Sequence, residues 1–197
     1  MPPFVALTGG IGAGKSEALA ALERLGAATL SSDAVVHELY STSEVRDAVL
    51  ERFGGAVVVD GVVDRAALAE RAFATSQDTA WLEALLWPKV GERMWAWRQE
   101  MEGRSPLPRA LVVEVPLLFE SGMEGGFDAT IAVIVEEGVR AQRAGARGHR
   151  ALDERAARQL TQQEKAARST YVVRNDAGID ELEQELSAVL DRMAPGK

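Results

Sequence analysis

Eight consecutive residues, Gly9-Gly10-Ile11-Gly12-Ala13-Gly14-Lys15-Ser16, narrow the choice of fold more than anything else in the chain. They complete the pattern G-x-x-x-x-G-K-[ST]. An apolar run at residues 4–7 precedes them, and a helical pattern at residues 15–25 follows. Strand, glycine-rich turn and helix in that order form a cradle for phosphate oxyanions. Glycines let the backbone approach a ligand closely and turn successive N–H groups toward it. The helix adds the partial positive charge of its N-terminus. On this reading Gly10, Ile11, Gly12, Ala13 and Gly14 surround a nucleotide's phosphates. Lys15 reaches the β- and γ-phosphates, and Ser16 ligates Mg²⁺ through its hydroxyl. A chance match on a glycine turn is the bland alternative, and the flanking strand and helix weigh against it. The loop implies nucleotide binding but leaves the phosphoryl acceptor open, because kinases, ATPases and GTPases share it.

The rest of the chain repeats the strand–helix alternation. Short apolar runs lie at residues 4–7, 28–30, 111–115, 130–135 and 171–173. Apolar residues at every position, without alternation, predict strands buried on both faces. Helical patterns lie at 15–25, 34–53, 66–74, 79–101, 138–168 and 179–193. Together they predict an α/β fold with a five-stranded parallel sheet and helices on both faces. The longest strand-free interval, about 34–109, predicts a helical lobe, with a small hairpin turning at Asp60-Gly61. The expected division is a core of about 1–33, 110–138 and 169–197, that lobe, and a lid at about 139–168, all within one domain of 197 residues.

Composition removes several classes of partner. The net charge of −8 argues against a nucleic-acid partner, since phosphate-backbone binding favours a basic surface. With no cysteine, disulfides and thiolate metal sites are excluded. No apolar run approaches the roughly 20 residues of a membrane span. The N-terminal "MPPFVAL" lacks the basic region of a signal peptide. The expectation is a cytoplasmic protein with no membrane association and no obligatory protein partner.

Three further features bear on chemistry. Asp33 follows the second strand, at the end of a parallel sheet where ligands bind. It reads either as the N-cap of the next helix or as a carboxylate that takes a proton from an attacking hydroxyl or holds a water on Mg²⁺. Arg140, Arg143, Arg147, Arg150, Arg155 and Arg158 concentrate positive charge in an otherwise acidic chain. Arg143 and Arg147, four apart, share a helix face. The cluster reads as a lid closing on phosphates, or as a solvated helix paired with Asp153, Glu154 and Glu164. Trp81, Trp87, Trp95 and Trp97 read mainly as helix-packing residues. Trp87 is the exception: Pro88 is expected to interrupt the helix there and leave a side chain facing a cleft.

At this point one family comes into view. The chain resembles the dephospho-coenzyme A kinases across nearly its whole length. The matching stretches are "TGGIGAGKS" at 8–16, "SSDAVVHEL" at 31–39, "DGVVDRAAL" at 60–68 and "WLEALLWPKV" at 81–90. "VPLLFESG" at 115–122, "FDATIAV" at 127–133, the Arg143 and Arg147 pair and "RQLTQQEKAARSTYVVRN" at 158–175 follow in order. The resemblance implies a P-loop kinase with ATP as donor, Mg²⁺ as metal and the ribose 3′-hydroxyl of dephospho-CoA as acceptor. It implies Asp33 as the residue activating that hydroxyl, with Lys15 and Arg143 as its catalytic companions. It implies Arg143, Arg147 and Asn175 as ATP contacts, and Trp87, Leu117, Leu118 and Glu120 as lining of the acceptor cleft. The interval 34–109 becomes a CoA-binding lobe. A nucleoside monophosphate kinase or a regulatory P-loop switch are the rivals. The first has a phosphate acceptor that needs no base, and the second expects an Asn-Lys-x-Asp motif that this chain lacks.

Departures from the family pattern fall at defined places. Ser31 stands where the family's D-[AS]-D motif has its first aspartate, so two carboxylates are not available at that strand end. Trp87-Pro88 replaces His-Pro, Glu114 stands where Asp is common, and Ser169-Thr170 replaces Ala-Asp. The stretch between Arg147 and Arg155 is also short for the family's lid.

Overall fold

The computed structural model describes residues 1–139 and 159–194. Its central feature is a five-stranded parallel sheet built from β1 (Phe4–Gly9), β2 (Ala28–Ser31), β5 (Leu111–Glu114), β6 (Ala129–Ile134) and β7 (Tyr171–Arg174). Their order across the sheet is β2-β5-β1-β6-β7. Every residue of β1 and β5 is buried, as expected for central parallel strands covered on both faces. The edges differ from the expectation of full burial. β2 is half-buried throughout, and β7 buries only Val173. Each edge strand has a neighbour on one side only, and the apolar run alone did not reveal its place in the sheet.

Helices α1 (Lys15–Arg24), α6 (Gln162–Arg168) and α7 (Ile179–Met193) accompany the sheet. Ala18, Ala21 and Leu22 of α1, at helical spacing, join Leu182, Leu186 and Val189 of α7 and Val5, Leu7 and Ile131 of the sheet in one core. α6 lies against β6 and β1. Thr170, one of the departures, takes up a structural job. Its hydroxyl accepts from Thr130 N at 3.1 Å, and its own N–H donates to the Thr130 hydroxyl at 2.9 Å.

The chain divides into two compact units. One holds residues up to Ser31 and from Arg98 onward, and the other holds Ser32–Trp97. The second unit contains α2 (Ser32–Leu39), α3 (Ser43–Phe53), α4 (Arg65–Ala72), most of α5 (Ser76–Glu102) and a hairpin of β3 (Val58–Val59) and β4 (Val62–Val63). Asp60 (φ 49°) and Gly61 (φ 78°) make the hairpin turn, as the Asp-Gly pair predicted. Its core includes Val45, Val49, Val57 and Leu68.

Two helix expectations need correction here. The pattern over 34–53 predicted one helix, but there are two. Thr42 breaks the run: its hydroxyl donates to Leu39 O at 2.7 Å and accepts from Val45 N at 3.4 Å, ending α2 and capping α3. Conversely, Pro88 does not interrupt α5, which runs on for 27 residues with the proline inside it. Pro88 forgoes the bond that Ala84 O would have accepted, while Leu82, Leu86, Val90 and Met94 keep one buried face on both sides of it. None of the four tryptophans is fully buried. Trp81 meets Phe53 edge-on at 5.5 Å, while Trp87 and Trp95 are exposed.

Candidate active site

β1 ends at Gly9, and the backbone turns there into the glycine loop and then α1. A side chain at Gly9 would place its Cβ 2.5 Å from Val133 O on the neighbouring strand, so the loop leaves the sheet at a point with no room for one. Ala13 N closes the turn on Gly10 O at 3.2 Å. Gly14 occupies the N-cap of α1 with φ 87°, and no side chain caps the helix. The partial positive charge at this helix start suits an anion. Lys15 folds back over the loop, its ammonium donating to Gly9 O at 3.1 Å and Gly10 O at 3.3 Å. Ser16 stands exposed on the first turn of α1. Gly10 and Ile11 form one wall of a cleft of about 330 Å³, faced by Glu137, Leu160, Thr161 and Gln163.

Asn175 sits just past β7, buried, and its amide reaches into the loop. Nδ2 donates to Ala13 O at 3.1 Å and to the Glu17 carboxylate at 2.9 Å. A Cβ on Gly14 would lie 2.0 Å from that nitrogen. In this conformation the side chain expected at the adenine is committed to the loop's own backbone and to the first turn of α1.

At the other side of β1, the strand ends β2 and β5 meet in register at Ser31 and Glu114. The Ser31 hydroxyl donates to Glu114 Oε2 at 3.0 Å, and Glu114 is buried. Two departures from the family pattern therefore touch each other. One carboxylate is present at this strand end, supplied by β5 rather than by β2. Asp33 follows two residues beyond Ser31, exposed on the first turn of α2. Helix α2 already begins at Ser32, so Asp33 is not its N-cap, which removes one of the two sequence readings.

The segment after β5 is built differently from the expected cleft lining. Leu118 has no solvent exposure and packs in the interior, while Leu117 is half-buried. Glu120 Oε1 accepts from Lys165 at 2.8 Å and from Leu160 N at 2.8 Å, which turns this carboxylate toward the protein. Trp87 is exposed on α5 in the second unit. Arg143 and Arg147 lie outside the described residues. Directly before α6, Thr161 and Glu164 form a reciprocal capping box. The backbone N–H and then the hydroxyl of Thr161 hold the Glu164 carboxyl below the ordinary carboxylate range.

Lys165 was not among the residues the sequence singled out. It occupies the one fully buried position of a short, polar helix, with no apolar periodicity to mark that position. The Asn175–Glu17 contact spans 158 positions of sequence and had no local signal either.

Ser16 offers a hydroxyl and Glu114 a carboxylate, both hard oxygen donors. Among the described residues no group of three His, Asp or Glu side chains could hold an ion by itself. Such a donor set suits Mg²⁺ carried on nucleotide phosphates, which completes its shell with substrate oxygens. Among the described residues no helix is long and apolar enough to cross a membrane.

Comparison with known proteins agrees over nearly the full length. The dephospho-CoA kinase family model matches residues 3–181. A dephospho-CoA kinase of Deinococcus radiodurans is 37% identical over 195 residues, 98% of this chain and 93% of that one. The enzyme of the same name from Protochlamydia amoebophila is 35% identical, covering 92% of each chain. A crystal structure from Thermus thermophilus, 32% identical, superposes with a TM-score of 0.78 over 98% of this chain and 99% of its own. With its phosphate loop intact inside that match, the chain belongs to the dephospho-CoA kinase family.

Proposed function

We infer that this protein transfers the γ-phosphoryl group of ATP to the 3′-hydroxyl of dephospho-CoA, giving coenzyme A and ADP. The observation that carries the reading is the uncapped start of α1, with Lys15 beside it, inside a family match that spans the sheet and the helical unit. The loop amides and Lys15 grip the β- and γ-phosphates and offset charge that develops as the group moves. Ser16 and Glu114 would hold Mg²⁺. Bound there, the ion would supply Lewis-acid stabilisation of negative charge on the transferring group. Asp33, exposed on the first turn of α2, accepts the proton of the attacking hydroxyl. Arg143 and Arg147 supply guanidiniums from the lid, excluding water as a competing acceptor. Trp87 offers an apolar face to the acceptor in the helical unit. The reaction belongs to a cytoplasmic enzyme that needs no protein partner.

The test is ADP formation with dephospho-CoA, AMP, CMP or no acceptor. Stimulation by dephospho-CoA alone is expected, and equal rates with and without it would sink the reading. Asp33→Asn should lower kcat by about 10²-fold or more while ATP affinity holds. A near-wild-type kcat in that variant would remove Asp33 from the mechanism.

A further inference from the structure

Lys165 is the most deeply buried charged side chain among the described residues, with no solvent exposure at all. Its ammonium donates to Pro116 O at 2.7 Å and pairs with Glu120 Oε1 at 2.8 Å. The same carbonyl accepts the Thr8 hydroxyl at 3.4 Å, and the same carboxylate oxygen accepts the Leu160 N–H at 2.8 Å. Thr8 immediately precedes Gly9, where the phosphate loop leaves the sheet. Leu160 lines the cleft that Gly10 and Ile11 face. One ammonium thus ties together the strand end that leads into the loop, the turn after β5, and the opposite wall of the cleft.

Stability alone does not account for this choice of residues. Desolvating an ammonium and a carboxylate is costly, and apolar residues of similar volume usually serve a core as well or better. The network is also incomplete, because Glu120 Oε2 is buried with no hydrogen-bond partner among the described residues. What the ionic pair supplies, and an apolar pair does not, is direction. Charge-assisted bonds fix where Pro116 O and the Glu120 carboxylate lie to within a narrow range.

We propose that Lys165 is a positioning residue for phosphoryl transfer: with Glu120 it holds the loop end of β1 and the 160–163 wall of the cleft in the spacing that grips the nucleotide phosphates. The proposal rests on the kinase reading for its kcat readout, while nucleotide affinity tests it independently of the acceptor. The experiment replaces both charges at once, Lys165→Met with Glu120→Leu, so that no lone buried ion remains. Melting temperature, ADP affinity by calorimetry and kcat with dephospho-CoA are then compared with wild type. A variant that melts within a few degrees of wild type is expected to bind ADP about fivefold more weakly and turn over about tenfold more slowly. If it melts like wild type and both constants stay within twofold, the proposal is overturned and the pair is only packing. Should the double variant not fold, Glu120→Gln keeps the volume and the acceptor for Leu160 N. ADP affinity at least about threefold weaker is expected there, and unchanged affinity overturns the proposal. A wild-type protein that binds ADP but ignores dephospho-CoA would count against the kinase reading instead, leaving the affinity comparison to judge Lys165.

Discussion

The cleft is bordered by the segments that lead into α1 and α6, and these two helices treat their first-turn amides in opposite ways. At α1 the N-cap is Gly14, which brings no side chain of its own to cap the helix. At α6 the Thr161 hydroxyl accepts from Glu164 N and the Glu164 carboxylate accepts from Thr161 N, so the cap comes from the helix's own side chains. Both helices need a partner for the same kind of donor. One finds it within its own sequence and is thereby structural. The other has Gly-Lys-Ser where a side-chain cap would stand, an arrangement suited to an anion. The same contrast appears at their lysines. Lys15 donates to backbone carbonyls of the loop, whereas Lys165 is enclosed and paired with a carboxylate.

The comparison breaks most severely at Lys15. Lys15→Ala should reduce kcat on the order of 10²–10³-fold, because a preorganised cation at the transferring group is removed. The fold should survive, and a circular-dichroism melt within a few degrees of wild type checks that. A large loss of melting temperature would place Lys15 among the residues that hold the loop together instead. Gly14→Ala attacks the open cap itself. Its φ of 87° and the Asn175 amide 2.0 Å from the new Cβ leave no relaxed position for a methyl group. The left-handed backbone alone costs about 1–2 kcal/mol, and ADP affinity should fall with it. Adding Asn175→Ala removes the collision with Asn175 but neither the backbone strain nor the Glu17 carboxylate at 2.8 Å, so the two losses of stability should combine to less than their sum. Strict additivity would show that Asn175 is not the obstacle.

Closing effects are smaller. Thr161→Ala removes the cap of α6 and should cost about 1 kcal/mol by denaturant titration, with a much weaker effect on ADP affinity than Gly14→Ala. The pH dependence sharpens this further. Thr161 lowers the folded-state pKa of Glu164, so this carboxylate's contribution is fully present above its unfolded value and lost as pH falls through the folded one. The stability gap between wild type and Glu164→Gln should therefore hold from neutral pH down to about pH 4.3 and shrink below it. A gap that widened on acidification would contradict that sign.

Much of the fold was legible in the chain. Each of the five apolar runs became a strand of the parallel sheet, within one or two residues at either end. The Asp60-Gly61 turn formed as expected. A residue's local preference misleads where its surroundings override it. Proline locally favours a break, yet the apolar face of α5 carries the helix past Pro88. Thr42 looked like one polar residue in a helical stretch, yet its hydroxyl serves both helix ends that meet there. At the site the phosphate loop was legible because it is contiguous, and its chemistry follows from eight neighbouring residues. Leu118 was not: being three residues from Val115 says nothing about which way it turns, and it turned inward.

By itself the sequence determined the parts whose physics is local. These are the glycine loop that no capped helix could replace, the buried strands with apolar residues at every position, and the family to which the chain belongs. Only the tertiary structure decided which distant groups share a site. It brought the Ser31 hydroxyl to Glu114 across two strand ends, the Asn175 amide under the phosphate loop, and the Lys165 ammonium onto Pro116 O and Glu120. Each of these bonds joins residues at least 45 apart, and each is short-ranged and directional. Their formation depends on the packing of β5, β7 and α6, which no local pattern of residues encodes.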